Sequence, residues 1–375
     1  MKKSLFWATM LLMLAGLVLP VAALPGIQNY MQDLSGQYVY YRDYSFEYEA
    51  YVGFLCYDEE QYGLRYYSPQ HPVSGTSAAA ANAGVSSKGG QSAIPYSIDI
   101  LFRVDPEKSV TEITGEQFLS EITSEDTFIV NYLHDLVYEL SQRRRNLTPA
   151  VVTDKTEVRD DFPQFGGSVK MKYSFDIPIF NLEKIISGDG KPVFDLVTVG
   201  RLASSSDESF WDFEGFPSPL ADKKRNFVST VKKPKTSFEY NSQKLLLDEQ
   251  WTQVADNMCL LGDVAVVVLS EFVPSEQTKA GGDKAILDAL VREYSLGTTN
   301  AYVDWGNRKV SRTKTSATVT TRRYLAEDNA VSNNFYVIEK NKDGVFCIVN
   351  LTVFEDAYRS NKSYFDAILK SFDCK

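Results

Sequence analysis

The chain has 375 residues, enough for two domains, and its 44% hydrophobic and 23% charged residues describe an ordinary globular protein. Its 39 basic residues stand against 49 acidic ones, a formal charge of −10, which argues against general nucleic-acid binding and mainly favours solubility. With 22 Tyr and 22 Phe, the composition suits β-rich cores and an exposed aromatic surface.

Residues 1–23 read as a secretory signal peptide. Lys2 and Lys3 precede an apolar run from Leu5 to Leu19, and Val21-Ala22-Ala23 supplies the small residues of a cleavage site. The run is short for a membrane span, and no later segment approaches spanning length. No Cys lies near the cleavage point, so no lipid attachment is expected there. The expected location is therefore outside the cytoplasm, periplasmic or extracellular.

A first module is expected over 24–216. It opens with a short helix over Leu24–Leu34, then aromatic strands over Tyr38–Tyr48, Val52–Tyr57 and Leu64–Tyr67. Small residues crowd the stretch near 69–95, including Ser74-Gly75-Thr76-Ser77-Ala78-Ala79, which reads as a mobile loop. Ile98, Ile100 and Phe102 then alternate along a half-buried strand, and Thr114-Gly115-Glu116-Gln117 carries a capping-box pattern for a short helix. A longer helix over Glu125–Arg145 shows the stripe Ile129, Tyr132, Leu133, Leu136, Val137 and Leu140. Strands over Val151–Val158, Ser168–Ile177 and Pro192–Leu202 follow. A terminal helix over Ser206–Phe213 is expected to be cut short by Gly215 and Pro217.

Residues 217–236 read as a Pro- and Lys-rich linker. Lys223, Lys224, Arg225, Lys232, Lys233 and Lys235 form a local basic patch on an acidic chain, a candidate contact for anionic lipid headgroups or envelope polymers. A plain solvated linker explains the same residues. A second module is expected over 237–375. It has a buried strand over Val264–Phe272, a helix over Lys284–Tyr294 and a long Thr-rich strand or pair of strands over Lys309–Tyr324. A hairpin of Phe335–Ile338 and Val345–Val353 turns across Asn341-Lys342-Asp343-Gly344. The final helix, with Ser363 and Asp366 as its capping box, carries Tyr364, Phe365, Ile368, Leu369 and Phe372 on one stripe.

The two modules share short motifs in the same order, the pattern expected of an internal repeat. Ser45-Phe46-Glu47-Tyr48 returns as Ser237-Phe238-Glu239-Tyr240, and Leu136-Val137-Tyr138-Glu139 as Leu290-Val291-Arg292-Glu293. Val193-Phe194 returns as Val345-Phe346, and Ser209-Phe210-Trp211-Asp212 as Ser363-Tyr364-Phe365-Asp366. The fold class expected is α+β: two tandem duplicated modules, each an antiparallel sheet packed against helices.

In the second module this order resembles the PsbP-type α-β-α sandwich, with Trp251 near its start, a helix in mid-domain, a hairpin, and a closing helix ending in Ser371-Phe372. The resemblance covers about 140 residues of the chain and, less clearly, the first module. It implies an exported, non-enzymatic protein.

Four cysteines, Cys56, Cys259, Cys347 and Cys374, allow three complete pairings, and Cys347–Cys374 is the favoured bond. Catalytic motifs find no support. The Ser74–Ala79 stretch looks like a subtilisin-type nucleophile segment, but only His71 precedes it among histidines. Two histidines and no Cys-x-x-Cys give no zinc set, so no metal and no cofactor are expected. His134 reads as a boundary residue of its helix. Asp207, Glu208, Asp212 and Glu214 interleave with Phe210, Trp211, Phe213 and Phe216, which suits sugar binding or glycosidic cleavage; the favoured reading is the terminal helix of the first module, with aromatics inward and acids outward. The expected function is binding or assembly in the cell envelope, with an envelope protein or polymer as partner. The alternative is a secreted carbohydrate-active protein.

Overall fold

The computed structural model describes residues 34–57, 61–73, 92–104, 113–118, 127–145, 156–204, 207–215, 227–229, 234–298, 301–325 and 329–375. Among them the chain forms two compact units that divide between Pro217 and Ser218.

The first unit holds β1 (Gln37–Asp43), β2 (Ala50–Cys56), β3 (Gln61–Val73), β4 (Ser92–Val104), β5 (Ile113–Phe118), α1 (Thr127–Arg145), β6 (Thr156–Phe162), β7 (Gly167–Tyr173), β8 (Leu182–Ser187) and β9 (Pro192–Arg201). All nine strands join one antiparallel sheet in the order β5-β4-β3-β2-β1-β9-β8-β7-β6. Two meanders therefore meet where β1 lies along β9, from Gln37 opposite Arg201 to Asp43 opposite Phe194. As the central strand, β1 is buried on both faces, so its aromatics point both ways.

On one face Tyr40 stands opposite Gly53 and Tyr38 opposite Gly200. A Cβ on Gly53 would lie 2.2 Å from the Tyr40 ring, and one on Gly200 would lie 2.3 Å from the Tyr38 ring. Only glycine lets each ring lie across the neighbouring strand. Residues 207–215 close this face: the Phe213 ring stacks on Tyr40 at 4.0 Å and Phe210 packs at 5.1 Å. On the other face Tyr41 stacks on Phe194 at 4.5 Å. Helix α1 reaches the same face, where its Tyr132 meets Asp43.

The second unit holds β10 (Thr236–Tyr240), β11 (Gln243–Leu247), β12 (Thr252–Ala255), β13 (Met258–Leu261), β14 (Ala265–Phe272), α2 (Glu276–Ala280), α3 (Gly282–Ser295), β15 (Ala301–Arg312), β16 (Ser316–Leu325), β17 (Ala330–Lys340), β18 (Phe346–Phe354), α4 (Glu355–Ser360), α5 (Lys362–Lys370) and β19 (Asp373–Cys374). Seven strands make one antiparallel sheet, β12-β13-β14-β18-β17-β16-β15, and β10-β11-β19 make a small second one. Strict alternation divides β18. Phe346 and Ile348 meet Ile286, Leu287, Leu290 and Val291 of α3, whereas Val349, Leu351 and Val353 meet Tyr364, Phe365 and Ile368 of α5. Trp251 donates to the Tyr364 hydroxyl at 2.8 Å, which in turn donates to Asp248 at 2.8 Å.

The expected α+β class is corrected. Among the described residues the protein is mostly β, with 53% strand against 20% helix and five short helices, because the β-branched and aromatic runs pair as long strands that dominate both units. The sandwich implied by the PsbP-type resemblance falls under the same correction. Two copies of one such module are not what the strand orders show either. In the first unit the opening strand β1 lies beside the closing strand β9. In the second, the strand beside the closing strand β18 is β14, the last of its meander.

The likeness that does exist is local. The Ser187 N–H donates to Lys191 O and Gly190 N–H to Ser187 O, while Asn341 N–H donates to Val345 O and Gly344 N–H to Asn341 O. Both turns place glycine at positive φ, +87° and +83°, where a side chain would be strained. Ser45–Tyr48 lies in bends, whereas Ser237–Tyr240 is strand β10.

Local expectations are corrected at four further points. Ser209–Asp212 forms a turn and no helix forms within the described residues 207–215, because Phe210 and Phe213 must both reach the β1 rings. Thr114–Gln117 belongs to strand β5, not to a capped helix. Pairing of His71–Val73 with Ser92–Ile94 carries β3 and β4 well into the stretch expected as a loop; residues 74–91 lie outside the described residues. Helix α5 has Asn361 at its N-cap with no side-chain cap bond, and Asp366 pairs instead with Lys362 and the Tyr358 hydroxyl.

Candidate functional site

The concentration of polar and aromatic groups in the first unit builds outward from Asp43. Alternation along β1 places Val39, Tyr41 and Asp43 on one face, which carries a carboxyl group into the interior at 1% exposure. The chain turns at once. The Ser45 N–H donates to Asp43 Oδ1 at 2.8 Å, a side-chain-to-backbone turn of the kind Asp favours. From α1 the Tyr132 hydroxyl donates to the other oxygen, Oδ2. No ion pair reaches Asp43 among the described residues. Burial therefore holds its carboxyl above the usual carboxylate range, although the bonds from Tyr132 and Ser45 oppose the shift. Tyr132 is raised for the same first reason, burial, and then by the Asp43 charge.

The turn brings Phe46 and Tyr48 back over β3. Tyr66 lies fully buried beneath them and donates to the Tyr48 hydroxyl at 3.1 Å; burial again raises its phenol. The Phe46 ring stands 5.3 Å from Tyr48, 5.6 Å from Tyr66 and 5.3 Å from Tyr132. Tyr48 meets His71 edge-on at 5.3 Å, and His71 stacks on Tyr96 of β4 at 4.4 Å. Apart from the His71–Tyr96 stack, these are tilted and edge-to-face contacts of the type aromatic groups prefer. Phe46, Tyr48, His71, Tyr96 and Tyr132 are each half-buried, so a group of mostly polar-edged rings, anchored to the buried acid through Tyr132, still meets solvent. Gln164 steadies the helix side by donating to Tyr132 O at 3.3 Å.

Among the residues singled out by sequence, Lys223, Lys224, Arg225, Lys232 and Lys233 lie outside the described residues. Lys235 is exposed, and its N–H donates to Leu247 O at 2.8 Å at the start of β10. The acidic-aromatic stretch is not assembled into a site: Phe210 and Phe213 are buried on β1, and Trp211 Nε1 donates to the Tyr57 hydroxyl at 2.9 Å. Asp207 accepts from the N–H groups of Ala203 and Ser209, both at 2.9 Å, as a turn residue does. His134 is exposed on α1, 3.7 Å from Asp135. Cys347 and Cys374 form a disulfide, joining β18 to β19. Cys56 and Cys259 are buried and take part in no disulfide among the described residues; burial pushes the Cys259 thiol up to about 11, which makes it a poor nucleophile.

The Asp43 group was not singled out by sequence reasoning. A signal existed. Asp43 falls on the same two-residue period as Val39 and Tyr41, and a carboxyl there is either a strand end or a buried polar group.

Among the described residues, no group of three or more His, Cys, Asp or Glu is placed to hold a metal ion. Likewise, no helix is long and apolar enough to cross a membrane. No curated protein matches the chain. Residues 36–211 match the model of a domain of unknown function, DUF7954, and residues 235–373 match that of a second domain of unknown function, DUF7955, so each unit carries its own family model.

Proposed function

We propose that the protein is exported and works by binding in the cell envelope, with the ring group around Asp43 as its contact for an envelope polymer. The observation that carries this reading is the set of five half-buried rings, Phe46, Tyr48, His71, Tyr96 and Tyr132, each joining an apolar face to a polar edge or neighbour. Sites that hold a ligand by packing, with a few polar groups for orientation, have this makeup. A glycan fits it well, since sugar rings offer both apolar faces and hydroxyl groups. Asp43 is a positioning residue in this scheme. Both of its oxygens already accept bonds from Ser45 and Tyr132, and it is too buried to reach a glycosidic oxygen, which favours binding over cleavage.

Export is supported by the leader pattern of residues 1–23 and by the Cys347–Cys374 bond, since disulfides persist in oxidising compartments. The test is co-sedimentation of the mature protein with washed, insoluble envelope from its own cells. The wild-type protein should leave the supernatant. A variant carrying Tyr48→Ala and Tyr96→Ala, shown by circular dichroism to be folded, should stay in it. Equal retention of both proteins, or no retention of either, would overturn the reading.

A further inference from the structure

The second unit carries a buried polar patch that the first unit's ring group does not explain. Helix α3 covers one half of its sheet face with apolar contacts. Beyond the end of α3 the same face turns polar. Thr321 and Arg323 of β16, Ser332 and Asn334 of β17 and Asn350 of β18 are all buried there. Register puts Arg323 directly opposite Ser332, and Asn334 between Thr321 and Thr352. Ser332 donates to Asn334 Oδ1 at 3.0 Å, Asn334 Nδ2 to Thr352 Oγ1 at 2.7 Å, and Thr352 Oγ1 to Asn350 Oδ1 at 3.4 Å. A run of polar side chains across the middle of a sheet weakens the core unless it serves some purpose.

Arg323 is the unusual member. It is 2% exposed and among the largest fully buried side chains of the protein. An arginine keeps its charge when buried, so it ordinarily takes a carboxylate with it. None is present among the described residues. Its Nε donates to Thr321 Oγ1 at 3.3 Å, and its Nη2 to Leu296 O at 3.0 Å, Tyr336 OH at 3.3 Å and Tyr294 O at 3.4 Å. All four acceptors are neutral. Its Nη1 has no partner. The neighbouring Arg322 shows the contrast: on the opposite face it pairs with both Asp304 and Glu355. A second guanidinium approaches the Arg323 end of the patch, since Arg308 Nε donates at 2.7 Å to Ser295 Oγ, between the two carbonyls that Arg323 holds.

We propose that this patch is a binding site for an oxyanion, a carboxylate or phosphate group of a small ligand, held by Arg323 Nη1 and by the Ser332 hydroxyl, whose single proton turns from Asn334 Oδ1 to the anion. The anion supplies the counter-charge that Arg323 lacks, and Nη1 and the redirected hydroxyl, from residues that stand opposite each other in the sheet, are donors of the kind oxyanions accept. The competing role is structural. In that role Arg323 only ties down the last carbonyls of α3, and Nη1 is left without function. The site is independent of the ring group in the first unit.

Thermal unfolding of the full chain separates the two roles. Inorganic phosphate in one arm and acetate or succinate in the other are titrated at constant ionic strength, with chloride as the control. The site predicts a saturable rise in unfolding temperature with at least one oxyanion and none with chloride; the arm that responds identifies the headgroup. Ser332→Ala, which removes one hydroxyl and leaves Arg323 on its carbonyls, should weaken half-saturation about tenfold. Arg323→Lys should abolish the response. If Arg323→Lys does not fold, Ser332→Ala alone decides. Identical behaviour in phosphate, carboxylate and chloride would overturn the proposal and leave Arg323 as a helix clamp. A response that Ser332→Ala leaves unchanged would overturn it too.

Discussion

Gly53→Ala is the sharpest perturbation of the first unit. The added Cβ would lie 2.2 Å from Tyr40 Cε1 and 2.5 Å from Cζ, inside any permitted contact. The ring has no room to retreat, because Phe213 stacks on it at 4.0 Å and its hydroxyl donates to Phe210 O. Overpacking of this kind costs about 1–3 kcal/mol. Displacing Tyr40 also forfeits an aromatic pair, about 1 kcal/mol, and a buried hydrogen bond of similar worth. A loss of about 4 kcal/mol follows, which lowers the unfolding temperature of a unit this size by about 10 °C. The assay is thermal and urea unfolding of the full chain, followed by tryptophan fluorescence with Trp211 as reporter. Tyr40→Leu alone should cost less than Gly53→Ala alone, and the pair together should fall short of the two losses added, since the clash needs both residues. Additive losses, or a Gly53→Ala protein as stable as the wild type, would refute the reading of β1 as a strand whose rings depend on facing glycines.

Two other outcomes follow from the same structure. Cys374→Ser opens a disulfide that closes a separation of 27 residues, worth about 3.5 kcal/mol by chain entropy; urea unfolding read by Trp251 and Trp305 should show this loss, and one below about 1 kcal/mol would mean that β19 is held by other contacts. Asp43 is raised by burial, so the stability tied to its protonated form is fully present below the ordinary carboxylate value near 3.9 and is lost as pH rises through the folded-state value. Asp43→Asn should flatten the fall in unfolding temperature across that window, and parallel profiles for the two proteins would contradict the assignment.

Much of the strand content was legible because its signals are local. The Asp189-Gly190 and Asp343-Gly344 turns, the alternation of Ile98, Ile100 and Phe102, and the stripe of α1 each depend on a few adjacent residues. Strand order was not legible. Nothing near β1 or β14 announces which of them pairs with a closing strand, and that choice separates the two units. The shared Ser-aromatic-aromatic-Asp pattern at Ser209–Asp212 and Ser363–Asp366 invited one reading for both. At Phe210 the demand of two facing Tyr–Gly pairs overrides helix formation; at Tyr364 the bonds to Trp251 and Asp248 are compatible with it. Both polar groups of interest were hidden by the same habit, that of reading strand alternation for its apolar members. Asp43 follows Tyr41, and Arg323 follows Ala317, Val319 and Thr321, on faces that bury them.

The proposed binding role requires above all that the ring group of the first unit be a contact for a polymer. Tyrosine side-chain NMR of the full chain, with soluble glycan fragments released from its own envelope, tests this directly. Shifts are predicted for Tyr48, Tyr66, Tyr96 and Tyr132, with Tyr38 against Phe210 and Tyr40 beneath Phe213 unmoved. Unchanged spectra at saturating fragment, or shifts scattered over both units, would contradict it.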